Sequence, residues 1–246
     1  MAEDPLSALS QLADVAPALA SARAAVDDAY RHRMLRRRGG EVAAEVSLRS
    51  AVASAALAGG RYDLADARSG VVTDPLLHGA LRCAQALPGL AEQWRRAPRQ
   101  VLARLHLLAA RGVVADELLG RPVGTEQPPV AARLDALVEV IVASGGQGMV
   151  RAAVVHGELL ALGLFPGPNG VVARAAGRLE LLSSGLDPRG LLLVDEVHLA
   201  REPEYVGSAG SFATGTPDGV RAWLRHCATA VEQGAGGVAE VADYLG

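Results

Sequence analysis

Hydrophobic side chains recur with helical spacing along most of the chain. Val130, Leu134, Leu137 and Ile141 fall on one helical face, and the segment 148–162 carries a similar apolar stripe. Helices are predicted over residues 5–32, 41–57, 75–87, 99–111, 130–143, 148–162 and 171–183. No stretch alternates apolar and polar residues as a half-buried strand does. The pattern predicts one all-α domain of about eight to ten helices.

Glycine and proline set the predicted ends of these helices. Gly39-Gly40 and Gly59-Gly60 would end the first two helices, and Pro88-Gly89 would end the third. Gly145-Gly146 would end the helix over 130–143. Asp187-Pro188 has the composition of a helix start, so another helix is predicted from there. An apolar face that includes Trp223 predicts the C-terminal helix.

Composition narrows the protein class. Of the 246 residues, 50% are hydrophobic but only 3% are aromatic, so the core must consist mainly of Leu, Val and Ala. The net charge of -3 argues against general nucleic-acid binding. Cys83 and Cys227 lie far apart, which gives neither a disulfide framework nor metal-ligand spacing. With no signal peptide and no membrane-spanning run expected, the predicted location is the cytoplasm.

One helix–loop–helix segment, 152–182, has candidate chemistry. Its loop ends in Asn169-Gly170 where the next helix begins, and Arg174 lies one turn further on. A helix N-terminus offers free N–H groups and a positive dipole end, which together attract anions. The same Asn-Gly pair is also an ordinary helix cap and turn. The residues alone therefore allow either a phosphate site or a structural cap.

This segment resembles the Fic signature, H-P-F-x-D/E-G-N-G/K-R-x-x-R. The matching positions are Phe165, Asn169, Gly170 and Arg174. Gly163 stands where the signature has its histidine, and Gly167 stands at the acidic position. The chain is thus similar to a degenerate member of the Fic (Fido) family.

Flanking segments resemble other elements of that family, in the same order. Residues 54–59 resemble the inhibitory helix motif, with Ser54 and Gly59 in place and Ala58 instead of its glutamate. Residues 101–112 are similar to the family's Leu-His helix, and 223–235 to its closing Trp-containing helix. His156 lies seven residues before the signature histidine position, where many Fic proteins carry another histidine.

The resemblance also implies a domain layout. It predicts a single Fic-like domain over 41–236, after an N-terminal helical extension at 1–40 and before a tail at 237–246. Gly120-Arg121 and the prolines of 128–129 correspond to the family's flap, which would be short here. Arg121 is the flap residue that could contact a target.

In active Fic proteins, the histidine acts as general base, the acidic residue holds Mg²⁺ and the last arginine binds phosphate. Gly163 and Gly167 supply neither group, so the resemblance implies a pseudoenzyme with no metal site. Phe165, Asn169, Gly170 and Arg174 would then bind ATP or another phosphate-containing ligand, with no Mg²⁺ needed. A protein partner or a homodimer is a further expectation.

Two alternatives remain at this stage. The chain could be a Fido-type transferase for adenylyl or another nucleotide or sugar donor, with His156 as a non-standard base. It could also be a structural protein whose loop collapses over the helix start. In either case Arg174 needs an anionic neighbour, which would be a ligand, Glu158, Asp63 or another carboxylate. Glu158 and Glu180 are otherwise expected to be solvated helix charges.

Overall fold

The structure is a computed structural model that describes residues 6–143, 145 and 147–245. These residues form thirteen α-helices and a 3-10 turn over Asp116–Leu118, with only an isolated bridge between Arg111 and Val114 in place of a sheet. The helices are α1 (Ser7–Ser10), α2 (Val15–Ala29), α3 (Met34–Arg37), α4 (Gly39–Ala56), α5 (Leu64–Ser69), α6 (Pro75–Trp94), α7 (Pro98–Ala110), α8 (Pro128–Val142), α9 (Gly148–Leu162), α10 (Asn169–Ser183), α11 (Val194–Ala200), α12 (Glu202–Ala213) and α13 (Pro217–Tyr244). The all-α prediction is confirmed.

Two hydrophobic clusters make up the core, and α9 and α10 contribute to both. The first cluster packs α2 along α13 and includes the fully buried Trp223. The second packs α6 and α7 against α10 and includes Trp94. Because α9 and α10 lie side by side between the clusters, the loop that joins them is held at both ends.

Small residues allow α9 to approach its neighbours closely. A Cβ atom at Gly157 would lie 2.8 Å from the rings of Phe212 and Trp223. A Cβ atom at Gly177, on α10, would lie 3.2 Å from the Cβ of His156. Contacts this close leave no room for larger side chains, so these two glycines bring α9 against α10, α12 and α13.

The predicted end of the third helix is wrong. Helix α6 continues through Pro88 to Trp94. Proline removes one backbone hydrogen bond inside a helix, but tertiary contacts beyond it compensate here. Trp94 is completely buried and its indole Nε1 donates to Glu180 Oε2 at 2.7 Å. Glu180 is itself fully buried, so its expected solvation is wrong too.

Two further helix predictions are corrected. The segment predicted as one helix over 5–32 is broken between α1 and α2, where Asp14 has a left-handed φ of 63°. Residue 5 lies outside the described residues. No helix begins at Asp187-Pro188. The Asp187 carboxylate instead accepts the N–H groups of Leu191 and Leu192 and the Tyr30 hydroxyl, which shapes a loop. The next helix begins at Val194.

The remaining helix ends lie within about two residues of the predicted ones, as is usual for boundary assignments. Helix α9 coincides with the predicted 148–162. Helix α8 ends at Val142, close to the predicted end at 143; of the predicted stop Gly145-Gly146, Gly146 lies outside the described residues. The sequence pattern predicts no helix at α5, α11 or α12. Among the described residues, none of the helices has the length and apolarity needed to cross a membrane.

Candidate functional site

The loop between α9 and α10 is braced from within by Asn169. Its Nδ2 donates to the Leu159 carbonyl at 2.9 Å, and its Oδ1 accepts the Phe165 N–H at 3.2 Å. Gly163 ends α9 in the left-handed conformation, with φ of 56°. The Asn169 side chain thus joins the end of α9 to the start of α10, so its amide is occupied by the protein itself.

A second segment, 111–127, covers the loop from outside. The imidazole of His106 accepts the Gly120 N–H at Nδ1 and donates from Nε2 to the Pro166 carbonyl, both at 3.0 Å. The same ring stacks on Phe165, with centroids 4.7 Å apart. Val123 N–H also donates to the Leu164 carbonyl at 2.8 Å. Phe165 is therefore buried beneath this segment rather than open to a ligand.

The covering segment occupies the predicted flap position. It contains only one 3-10 turn and no hairpin among its described residues. A Cβ atom at Gly167 would lie 2.6 Å from Val114 Cγ1, so the segment and the loop are in direct contact. The Arg121 side chain is exposed at the surface of this segment.

The Arg174 side chain lies beside the start of α10. Only 3% of it is exposed, and its Nη1 lies 3.2 Å from where a Cβ atom of Gly170 would be. Nε donates to Ser54 Oγ at 2.8 Å and Nη2 to the Ser54 carbonyl at 2.6 Å. Nη1 donates to the Tyr205 hydroxyl at 3.3 Å. All three acceptors are neutral.

The carboxylates expected to neutralise Arg174 lie elsewhere. Glu158 pairs with Arg133 at 2.7 Å, and Asp63 caps the start of α5. Among the described residues, no carboxylate oxygen lies within salt-bridge distance of Arg174. The Arg174 guanidinium group is therefore hydrogen-bonded, but no described carboxylate in direct contact neutralises its charge.

Of the three residues assigned to the inhibitory motif, Ser54 alone reaches the site. It is buried on α4 and supplies two of the three acceptors of Arg174. Ala58 and Gly59 lie beyond the end of α4 and are exposed. The α4–α10 contact is thus made by a serine one turn before the position that the family motif gives to glutamate.

His156 belongs to a buried polar cluster. Its Nε2 is hydrogen-bonded to the Tyr205 hydroxyl at 2.9 Å, and the same hydroxyl accepts from Arg174. His198 Nδ1 lies 3.0 Å from His226 Nε2, and His226 Nδ1 lies 3.4 Å from Glu204 Oε1. Burial, reinforced by the charge of Arg174, holds the pKa of His156 well below its ordinary value. His156 is therefore neutral and enclosed.

Sequence reasoning missed Tyr205, His198 and His226. His198 lies on α11 and Tyr205 on α12, where the sequence pattern predicts no helix, whereas His226 lies on the predicted C-terminal helix, α13. Of the rings in this cluster, the sequence singles out only His156, as a candidate base, and Trp223, as part of an apolar face. Trp223 donates its indole N–H to the Ala153 carbonyl at 2.7 Å and packs edge-on to His156. No sequence motif marks these residues; the packing of α9 against α12 and α13 brings them together.

Metal-ligating groups do not gather at this site. Among the described residues, no three His, Cys, Asp or Glu side chains are placed to hold a metal ion. Cys83 and Cys227 are both buried free thiols. What the start of α10 offers is therefore a helix N-terminus, the half-buried Gly170 and the guanidinium of Arg174.

Solved Fic proteins share this arrangement of helices. A Fic family protein from Desulfovibrio desulfuricans G20 superposes with a TM-score of 0.71 at 19% identity, over 91% of this chain and 74% of that one. A fragment of Fic-1 from C. elegans gives a TM-score of 0.72 at 18% identity, over 94% and 74%. No protein-family model and no curated protein matches the sequence. The chain therefore has the Fic (Fido) fold, as the motif order predicted.

Proposed function

We propose that this Fic-fold chain binds a phosphate-containing ligand, such as a nucleotide, at the start of α10 and does not transfer an adenylyl group. The observation that supports this most directly is the state of Arg174. Its guanidinium is almost fully buried beside Gly170, and it hydrogen-bonds only to neutral oxygen atoms. A buried positive charge without a directly paired carboxylate favours an anion nearby.

The helix adds to this positive potential. Helix α10 has fifteen residues, and no side chain caps its N-terminus. Its aligned peptide dipoles place roughly half a positive charge there. Because Gly170 has no side chain, a phosphate oxygen could approach the backbone near Arg174. Both sources of charge act on the same point, which is the arrangement that anion sites use.

Transfer chemistry has little support in the same place. The base position of the resemblance is Gly163 and the acidic position is Gly167, and neither has a side chain. Loss of a general base costs roughly 10²–10⁴ in rate. His156, the alternative base, is 5% exposed and already hydrogen-bonded to Tyr205. A base enclosed in this way cannot reach a substrate hydroxyl without rearrangement of α12.

Calorimetric titration with ATP, ADP and AMP, with and without Mg²⁺, tests the binding proposal. We expect binding that does not need Mg²⁺. In Gly170→Asp a carboxylate would occupy the anion position beside Arg174, so ligand binding should be lost while the protein stays folded. Gly207→Asp is the matched control, since Gly207 is also helical, is exposed and has open space around it. No binding at millimolar ligand would refute the nucleotide proposal.

A partner-protein role has an observation of its own. Val113, Leu118 and Val123 are exposed on the covering segment. Pro122, the chain neighbour of Val123, lines an apolar groove of about 320 Å³ between α7 and the loop residues Leu164 and Phe165. If nucleotides do not bind, this face becomes the main candidate surface. Substituting Val123→Asp and measuring retention of a captured partner would test it.

The transferase alternative is tested separately. Incubation with labelled ATP or UDP-sugars and candidate protein targets should give no labelled product. Labelled product that disappears in His156→Ala would instead support a non-standard transferase. Labelled product that survives this substitution would show that another group acts as the base.

A further inference from the structure

Two small cavities lie on either side of the contact between Arg178 and Asp195, deep in the core. The larger, of about 30 Å³, is enclosed by α9, α10, α11 and α13. The smaller, of about 10 Å³, lies between α4, α6 and α10. The polar side chains around the larger cavity are His156, Arg174, Arg178, Asp195 and His198. Those around the smaller one are Ser50, Ser54, Arg178 and Asp195.

Two buried polar atoms at these cavities make no hydrogen bond within the described residues, and one ion pair beside them is long. Asp195 is 2% exposed, and its Oδ1 makes no hydrogen bond. Ser50 is completely buried, and its Oγ makes none either. The Arg178 Nη1 to Asp195 Oδ2 distance is 3.7 Å, which is too long for a hydrogen bond. Buried polar atoms in native proteins are almost always satisfied, so Asp195 Oδ1 and Ser50 Oγ both need an explanation.

The charges around the cavities are also unbalanced. Arg174 and Arg178 bring two positive charges, and Asp195 is the carboxylate that faces both. Burial raises the pKa of Asp195, and Arg178 and Arg174 oppose that rise. For Asp195 to stay ionised and balance the two guanidinium groups, its free oxygen needs a hydrogen-bond donor.

We infer that ordered water occupies these cavities and makes Asp195 the shared counter-ion of Arg174 and Arg178. Water beside the Arg178–Asp195 contact donates to Asp195 Oδ1, accepts from Arg178 and bonds to Ser50 Oγ. A single water needs about 10–15 Å³ and two to four polar partners. The smaller cavity has room for one water and the larger for about two. Asp195 balances only one of the two guanidinium charges, so a net positive charge remains on the pair Arg174 and Arg178.

Other occupants fit less well. A halide ion would be repelled by the Asp195 carboxylate, and a metal cation would be repelled by the two guanidinium groups. Cavities that remain dry are lined by apolar side chains, whereas four polar side chains meet at the smaller cavity. Water is the ligand that can both donate to Asp195 and accept from Arg178.

The first test is a crystal structure of the full chain, grown with bromide replacing chloride. We expect a peak without anomalous signal within hydrogen-bonding distance of Asp195 Oδ1 and Ser50 Oγ. An anomalous bromide peak at this position would overturn the inference in favour of a halide. Empty cavities would overturn it as well, because Asp195 would then lack its donor.

The second test is a double-mutant cycle between Ser50 and Asp195, which make no direct hydrogen bond. Thermal midpoints are measured for Ser50→Ala, Asp195→Asn and the double variant. If water connects the two side chains, the double variant's shift will differ clearly from the sum of the single shifts. In the control cycle, Asp135→Asn replaces Asp195→Asn, because Asp135 is an exposed carboxylate paired with Arg99. The shift of the double variant Ser50→Ala/Asp135→Asn should equal the sum of the two single shifts. Additive shifts in both cycles would contradict the bridging water.

Discussion

Replacing Glu180 with glutamine removes the one carboxylate of a buried charge network. Glu180 is fully buried and accepts from Arg151 Nε at 2.5 Å, from Arg95 Nη2 at 2.9 Å and from the Trp94 indole at 2.7 Å. The same two arginines donate to the carbonyls of Ile141, Ala143 and Gly145. Glu180 thus fixes α6 to α10 and holds the connection between α8 and α9.

The size of the effect follows from these contacts. A glutamine amide has one acceptor oxygen, so its NH2 group would face at least one donor that Glu180 now satisfies. Arg151, whose side chain is 6% exposed, would also lose its only carboxylate within the described residues. Breaking a buried ion pair by removing one partner costs about 3–5 kcal/mol. For a chain of this size, that lowers the melting temperature by about 6–20 °C.

Urea unfolding followed by far-UV circular dichroism measures this cost, and Glu158→Gln is the control. The Glu158–Arg133 pair is partly exposed to solvent, with side chains 23% and 45% accessible, so its loss should change the unfolding free energy by at most about 1 kcal/mol. Hydrogen exchange should also become faster at Ala143 and Gly145 in Glu180→Gln alone. If both variants lose similarly little stability, the assigned role of Glu180 as the network's centre is wrong.

Three further predictions follow from the packing and the buried histidines. Gly79→Ala should destabilise the fold by about 1–3 kcal/mol, because its Cβ would meet the Ala109 carbonyl oxygen at 2.0 Å. Gly89 is exposed on the same helix, so Gly89→Ala should stabilise the fold by up to about 1 kcal/mol. Unfolding curves of the two variants must shift in opposite directions. Tyr205→Phe leaves His156 without its hydrogen bond and should cost about 1–3 kcal/mol, measured the same way. Burial holds the pKa values of His156 and His198 well below normal in the folded protein. As the pH drops below about 6.5, these histidines take up protons in the unfolded chain but not in the folded one, so the folded state should become less stable. A flat stability profile from about pH 7 to 5 would contradict the neutral cluster.

The helices that form the centre of the fold could be predicted because their sequence pattern and their packing agree. α9 and α10 each have an apolar stripe and a glycine or loop at each end, and both lie near their predicted positions. The prediction failed at Pro88, where local preference favours a stop but Trp94 and Glu180 fix the chain as helix from outside. It also failed for α11 and α12, whose positions depend on contacts with α4 and α13.

The candidate site could be predicted only in outline. The resemblance identified Ser54, Asn169 and Arg174, and the fold does bring Ser54 to Arg174. The sequence could not indicate that Asn169 is occupied within the loop, or that Phe165 stacks beneath His106. These assignments depend on which atoms meet across helices distant in sequence.

The contact between α4 and α10 also bears on the binding role that we propose. The resemblance implies that the glutamate of the family's inhibitory motif pairs with the last signature arginine, but here that position is Ala58, which is exposed beyond the end of α4. Here Ser54 holds the same guanidinium through a hydroxyl and a carbonyl, which fix its position without cancelling its charge. Asp195 faces Arg174 from the other side, where Arg178 already competes for it. The start of α10 therefore keeps a fixed positive group, and Asp195→Asn should strengthen the binding of an anionic ligand there, a change that calorimetry with ADP would detect.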